Sequence, residues 1–149
     1  SYPDDRPAFL ESRKAAAALG ATYEWNKLEG VTNTNGTVYV AISEITESMV
    51  KDWGHVNWAS GQKDTANQGD IALDKEACGA VYRGTMSSDY NLTRLEPAVV
   101  GKTTDGKKRC DDGGIAHPDN ILGLSNGSLI IAEDAGKSAH PVDMLWLLK

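Results

Sequence analysis

The sequence predicts a mainly β fold with one N-terminal helix, and three observations predict it. The stretch from His117 to Asp134, HPDNILGLSNGSLIIAED, holds two apolar runs, Ile121 to Leu124 and Leu129 to Ala132, around Ser125-Asn126-Gly127-Ser128. Asn-Gly between apolar runs is the strongest short-range hairpin signal. An earlier stretch repeats the design, with Leu28 to Thr32, then Asn35-Gly36, then Thr37 to Glu44. Phe9 to Leu19, by contrast, is rich in alanine and other helix formers.

Along the chain, Asp5 is placed to cap that helix, Pro7 fits its first turn and Gly20 ends it. It reads as an amphipathic packing helix with Arg6, Arg13 and Lys14 on its solvated side; Arg13 is read as solvated rather than as a phosphate ligand. Ala21 to Lys27 is an aromatic and polar approach to the first hairpin, where Val38, Val40 and Ile42 alternate with Tyr39, Ala41 and Ser43 at the period of a strand. From Glu47 to Asp70 the periodicity fails, and Trp53, Gly54, His55, Trp58, Gly61 and Gly69 lie scattered in a long surface excursion. His55 is read there as a structural loop histidine. Ile71 to Leu73, Gly79 to Arg83 and Arg94 to Gly101 read as strands, with a turn at Ser87-Ser88-Asp89-Tyr90. After a loop over Lys102 to Lys108, Cys110-Asp111-Asp112-Gly113-Gly114 leads into the second hairpin. Ala135 to Ala139 loops out, and Met144 to Leu148 starts a last strand that is expected to have no partner within this sequence.

The hairpin ends carry the chemistry. The residues entering the first strand and leaving the second lie at one open end, which brings Asp119 and Asn120 towards Glu133 and Asp134. Glu29 and Glu44 hold the same places in the first hairpin, and both acid pairs are 15 residues apart. Acids at strand ends are ordinarily solvated turn residues. Two matched hairpins with one apolar face each suggest something more, a repeat architecture such as a β-propeller. Four to eight blades of four strands need more chain than this, so residues 1–149 are expected to be a fragment of a single propeller domain. Clustered acidic oxygens suit hard cations such as calcium, and Asp111 and Asp112 are further candidate oxygens.

A net charge of −6, with no basic run longer than Lys107-Lys108-Arg109, argues against nucleic acid as the main partner. No apolar run is long enough for a transmembrane helix, and the N-terminus has no signal-peptide pattern, so an export signal would lie upstream of Ser1. Cys78 and Cys110 fit neither a metal-binding nor a redox motif; one disulfide and two buried thiols both remain open.

Lys27 to Thr32 with Val38 to Glu44, Cys78-Gly79-Ala80-Val81-Tyr82, and Ala116 to Ile121 with Leu129 to Asp134 together resemble the PhoX-type bacterial alkaline phosphatases. The resemblance runs from about Arg6 to the end, and the two cysteines look like those of one subgroup. It implies a secreted or periplasmic β-propeller whose axial calcium and iron ions bind phosphate monoesters and drive their hydrolysis. Glu29 would then be a metal ligand, Asp119 and Asn120 would sit at the matching position, and Glu133, Asp134 and Glu44 would complete the rim. The family's asparagine-histidine-glutamate and cysteine-glycine-glycine segments and its last blade are not in this sequence, so neither Cys78 nor Cys110 inherits the iron-binding role. The expected partners are therefore the remainder of the propeller or another chain, and a phosphate ester as substrate. Two readings stand beside a metal-dependent phosphatase: a non-catalytic propeller-derived binding or structural subunit, and a calcium-dependent lactonase-like hydrolase.

Overall fold

A computed structural model describes residues 4, 6–22, 24–51, 56–57, 62–63, 70–105 and 108–149. The chain divides into two compact units, Ser1–Asn26 with Glu47–Leu73, and Lys27–Thr46 with Asp74–Lys149.

In the first unit the expected single helix is two, α1 (Arg6–Leu10) and α2 (Ser12–Ala18), because Glu11 leaves the helical region at φ −139° and ψ 42°. Helices this short are marginal on propensity alone. Gly20 does end the helix: at φ +90° it lets Gly20 N–H reach the Ala17 carbonyl and Ala21 N–H reach the Ala16 carbonyl, at 3.0 and 2.9 Å. Those two bonds form a Schellman cap. Phe9, Leu10 and Leu19 are exposed and Ala15 is buried, so the packing stripe expected of this segment is small. Asp5, the expected cap, lies outside the described residues, and Asp4 accepts the Arg6 N–H at 3.0 Å. A single 3-10 turn (Glu47–Met49) and a two-stranded ladder, β3 (Val56–Asn57) with β4 (Gln62–Lys63), are described from the excursion. Trp53, Gly54, His55, Trp58, Gly61 and Gly69 lie outside the described residues. Ile71–Leu73 is not a strand; Leu73 makes one isolated bridge to Val50. Glu24 is buried, and its carboxylate accepts the Ile71 N–H at 2.6 Å.

The second unit holds two antiparallel sheets. One has the order β1 (Leu28–Thr34), β2 (Thr37–Ile42), β5 (Ala80–Thr85), β6 (Glu96–Val100), a simple meander; the other is β7 (Pro118–Gly123), β8 (Leu129–Glu133), β9 (Leu145–Leu148). The last strand is thus partnered after all, with Ile130 opposite Leu147 and Ile131 opposite Trp146. Between β8 and β9, where a loop was expected, the chain makes the helical turn α3 (Gly136–Ala139). Val81, Ile115, Leu129 and Ile131 form the buried centre, with Tyr39, Val99, Ile121, Trp146 and Leu148 packed around it. The alternation in β8 sorts Leu129, Ile131 and Glu133 to the buried side. A second apolar cluster surrounds the disulfide between Cys78 and Cys110, which settles the pairing that the spacing left open. Gly79, at φ +73°, is needed beside it, since a Cβ there would stand 2.3 Å from the Ile42 carbonyl oxygen. Among the described residues neither sheet closes on itself.

Candidate functional site

Each hairpin has the same irregularity. The register shifts between Leu28 and Val31 in β1, and between Pro118 and Ile121 in β7. These are β-bulges, which re-aim side chains at the rims of sheets. The bulged residues include Glu29 in one strand and Asp119 and Asn120 in the other. The residue entering each strand has a left-handed backbone, Lys27 at φ +56° and His117 at φ +43°. Its carbonyl accepts a closing bond from the returning strand, Ser43 N–H to Lys27 at 3.0 Å and Asp134 N–H to His117 at 3.1 Å.

Those matching bonds correct the symmetry expected from spacing. Leu28 faces Ile42, whereas Pro118 faces Glu133. The second hairpin has a longer turn, Leu124 to Ser128, closed by Leu124 N–H to the Ser128 carbonyl at 2.8 Å. Its returning strand is therefore displaced by one residue. Asp134 is the counterpart of Ser43, not of Glu44, and Glu133 is the counterpart of Ile42.

The two bulges meet. A Cβ on Gly30 would stand 2.4 Å from the Asp119 carbonyl oxygen and 3.0 Å from the Ile121 nitrogen, so only glycine permits this approach. Further along, the Thr32 hydroxyl accepts Gly123 N–H at 3.1 Å and the Thr34 hydroxyl donates to the Leu124 carbonyl at 2.6 Å. β1 and β7 thus run side by side in the same direction, with Glu29, Asp119 and Asn120 at one shared end. Glu29 is exposed and accepts a hydrogen bond from the Ser43 hydroxyl at 3.3 Å. Asn120 and Asp134 are exposed, and Asp119 and Glu44 are half-buried.

Glu133 is a different kind of residue. Its Oε1 accepts Ala116 N–H at 2.8 Å and Trp146 Nε1–H at 2.5 Å; its Oε2 accepts Met144 N–H at 3.1 Å and pairs with His140 Nδ1 at 2.9 Å. Four donors commit a buried carboxylate that the sequence suggested as a rim ligand. The signal for this was legible, since Glu133 follows Leu129 and Ile131 on the apolar side of the alternation. His140, missed by sequence reading, is buried too, and its Nε2 lies 3.1 Å from the Asp111 carbonyl. Asp111 and Asp112 are likewise engaged, Asp111 Oδ1 by Gly113 N–H at 3.0 Å and Asp112 by the Arg109 guanidinium at 2.5 Å.

The carboxylate and amide oxygens left at the shared end are the type that calcium takes. Their number falls short, because among the described residues no group of three or more His, Cys, Asp or Glu side chains is gathered closely enough to hold a metal ion. Thiolate ligation is closed to Cys78 and Cys110 by their disulfide. Among the described residues no helix is long and apolar enough to cross a membrane.

No curated protein and no solved structure matches the chain. The family model for alkaline phosphatase PhoX matches residues 2–146, nearly the whole length. The chain belongs to the alkaline phosphatase PhoX family.

Proposed function

We propose that the chain is part of a metal-dependent phosphomonoester hydrolase of PhoX type. In this reading the two sheets are neighbouring blades of a β-propeller, β1 and β7 are their innermost strands, and the shared end of these strands faces the axis. The contact of the two bulges at Gly30 and Asp119 carries the proposal, since it brings acids from separate hairpins to one end. Glu29, Asp119 and Asn120 supply oxygen ligands there, with Asp134 and Glu44 at the margin. Glu133 is left out of the set because its oxygens already hold four protein donors.

Calcium and iron, completed by ligands from the remainder of the propeller or another chain, would neutralise charge on the phosphoryl oxygens of a phosphate ester and orient the attacking oxygen. This chain's own part is positional. The bulges fix where the acids stand, and the Ser43 hydroxyl holds the Glu29 carboxylate. A secreted or periplasmic location suits a chain with a buried disulfide.

The test is metal content and phosphate monoester turnover of the complete protein carrying Glu29→Ala and Asp119→Ala together. Loss of bound calcium with loss of turnover is expected, and full metal occupancy would sink the assignment. A second reading is a structural module whose acids cap strands, and the bond that the Ser43 hydroxyl of the returning strand gives Glu29 favours it. In that case the double variant keeps its metal content, and a chelator leaves the thermal midpoint unchanged.

A further inference from the structure

At the opposite end of the first sheet from the acidic rim is a cleft of about 450 Å³, lined by Thr37, Tyr39, Arg83, Thr85, Arg94 and Glu96. The strand register builds it. Tyr39 faces Arg83 and Arg83 faces Glu96 across β2, β5 and β6, while Thr37 faces Thr85 one row nearer the turn. The rim acids belong to the end where Leu28 faces Ile42, whereas the cleft is lined by Thr37 and Tyr39 at the turn end of β2.

Its charge runs against that of the chain. Glu96 is shared by two guanidiniums, Arg83 Nη2 at 3.3 Å from Oε1 and Arg94 Nη2 at 3.6 Å from Oε2. One carboxylate cannot use the five N–H donors that each guanidinium carries. It leaves donors on both forks unused and the cluster with an excess of positive charge. An adjoining cavity of about 220 Å³ shares Tyr39 and Arg83 and adds Lys149. Two guanidiniums thus stand against one carboxylate in the cleft, with Lys149 on the adjoining cavity, in a chain of net charge −6. Planar forks of N–H donors beside threonine hydroxyls are the groups that recognise tetrahedral oxyanions.

We propose that this cleft is a binding site for a phosphate-type oxyanion, distinct from the acidic rim. The ligand is either free inorganic phosphate or the phosphate of a small ester whose organic part rests on Tyr39. The proposal stands on the cleft alone and survives failure of the metal assignment, because none of its residues belongs to the rim.

The experiment is an amide-resolved NMR titration of the full chain with inorganic phosphate and, separately, with adenosine monophosphate. Saturable shifts at Tyr39, Arg83 and Arg94 are expected, with a dissociation constant of about 1 mM for so solvent-exposed a charged site. Tighter binding of the nucleotide identifies an ester site, and equal or tighter binding of inorganic phosphate identifies a free-oxyanion site. The Arg83→Gln and Arg94→Gln double variant should weaken binding at least about tenfold. Glu96→Gln removes the competing carboxylate and should tighten binding by about threefold, a gain that a damaged fold would not produce. Absence of saturable shifts, undiminished binding in the arginine double variant, or no tightening in Glu96→Gln would each overturn the proposal.

Discussion

Both ring nitrogens of His140 face acceptors, Glu133 Oε2 and the Asp111 carbonyl, so satisfying both requires two N–H donors and hence a charged ring. Burial opposes that charge, but the hydrogen bonds to Glu133 and Asp111 and the charges of Glu133 and Asp112 outweigh it, raising the pKa above the ordinary histidine value. The sign of the pH effect follows. A folded-state pKa above the unfolded one contributes stability that is complete below about 6.5 and is lost as pH rises through the raised value. The urea midpoint should therefore fall as pH rises above about 6.5, and His140→Gln should flatten that slope. Glu133→Gln is the harsher change, since an amide NH₂ must then face Met144 N–H, Ala116 N–H or Trp146 Nε1–H. Breaking a buried pair from one side costs about 3–5 kcal/mol. A loss under about 1 kcal/mol in urea unfolding would show that the pair is not a principal support of this unit.

Among the elements, the first strands of the two sheets depend on each other. In Gly30→Ala the added carbon meets backbone atoms, the Asp119 carbonyl oxygen and Ile121 nitrogen, which cannot swing away as a side-chain tip does. Overpacking of this kind costs about 1–3 kcal/mol, to be read as a lower urea midpoint. An unchanged midpoint would mean that the bulges do not press on one another. The disulfide lies in the same unit and closes a loop with a sequence separation of 32. The chain-entropy model assigns such a loop about 3–4 kcal/mol, so a reductant should lower the midpoint accordingly and have no effect on a Cys78→Ala and Cys110→Ala variant. The hairpins were legible because Asn-Gly turns and two-residue alternation are local signals. The one-residue displacement between them was not, because it comes from turn length and only strand pairing reveals it. For the same reason equal acid spacing misled at Glu44, while Glu133 and His140 meet through a tertiary fold of the chain around α3. The break at Glu11 and the pairing of β9 with β8 were hidden in the same way, the first by weak propensity and the second by distance along the chain.

At the scale of the whole molecule, the second sheet has two apolar faces where one would suffice for a two-layer packing. Leu129 and Ile131 belong to the buried centre, and Ile121, Trp146 and Leu148 pack on it. On the other side Leu122 faces Ile130, Ile130 faces Leu147 and Ala132 faces Leu145. Leu122, Leu145 and Leu147 are 55, 71 and 54% exposed. A sheet with water on one face usually alternates apolar with polar residues, whereas a propeller blade is covered on both. The proposed propeller therefore requires that this face be buried in the complete protein. Leu147→Lys should then destabilise the complete protein by about 2 kcal/mol or more, the cost of placing a charged group against an apolar neighbour. In this chain by itself the same substitution leaves the lysine in water and should change the unfolding free energy in urea by less than about 0.5 kcal/mol. Equal small effects in both would mean that the face stays open to solvent, and the neighbouring-blade reading of the two sheets would fall with it. A large loss confined to the complete protein would place another layer over Leu122, Ile130 and Leu147, as the propeller requires.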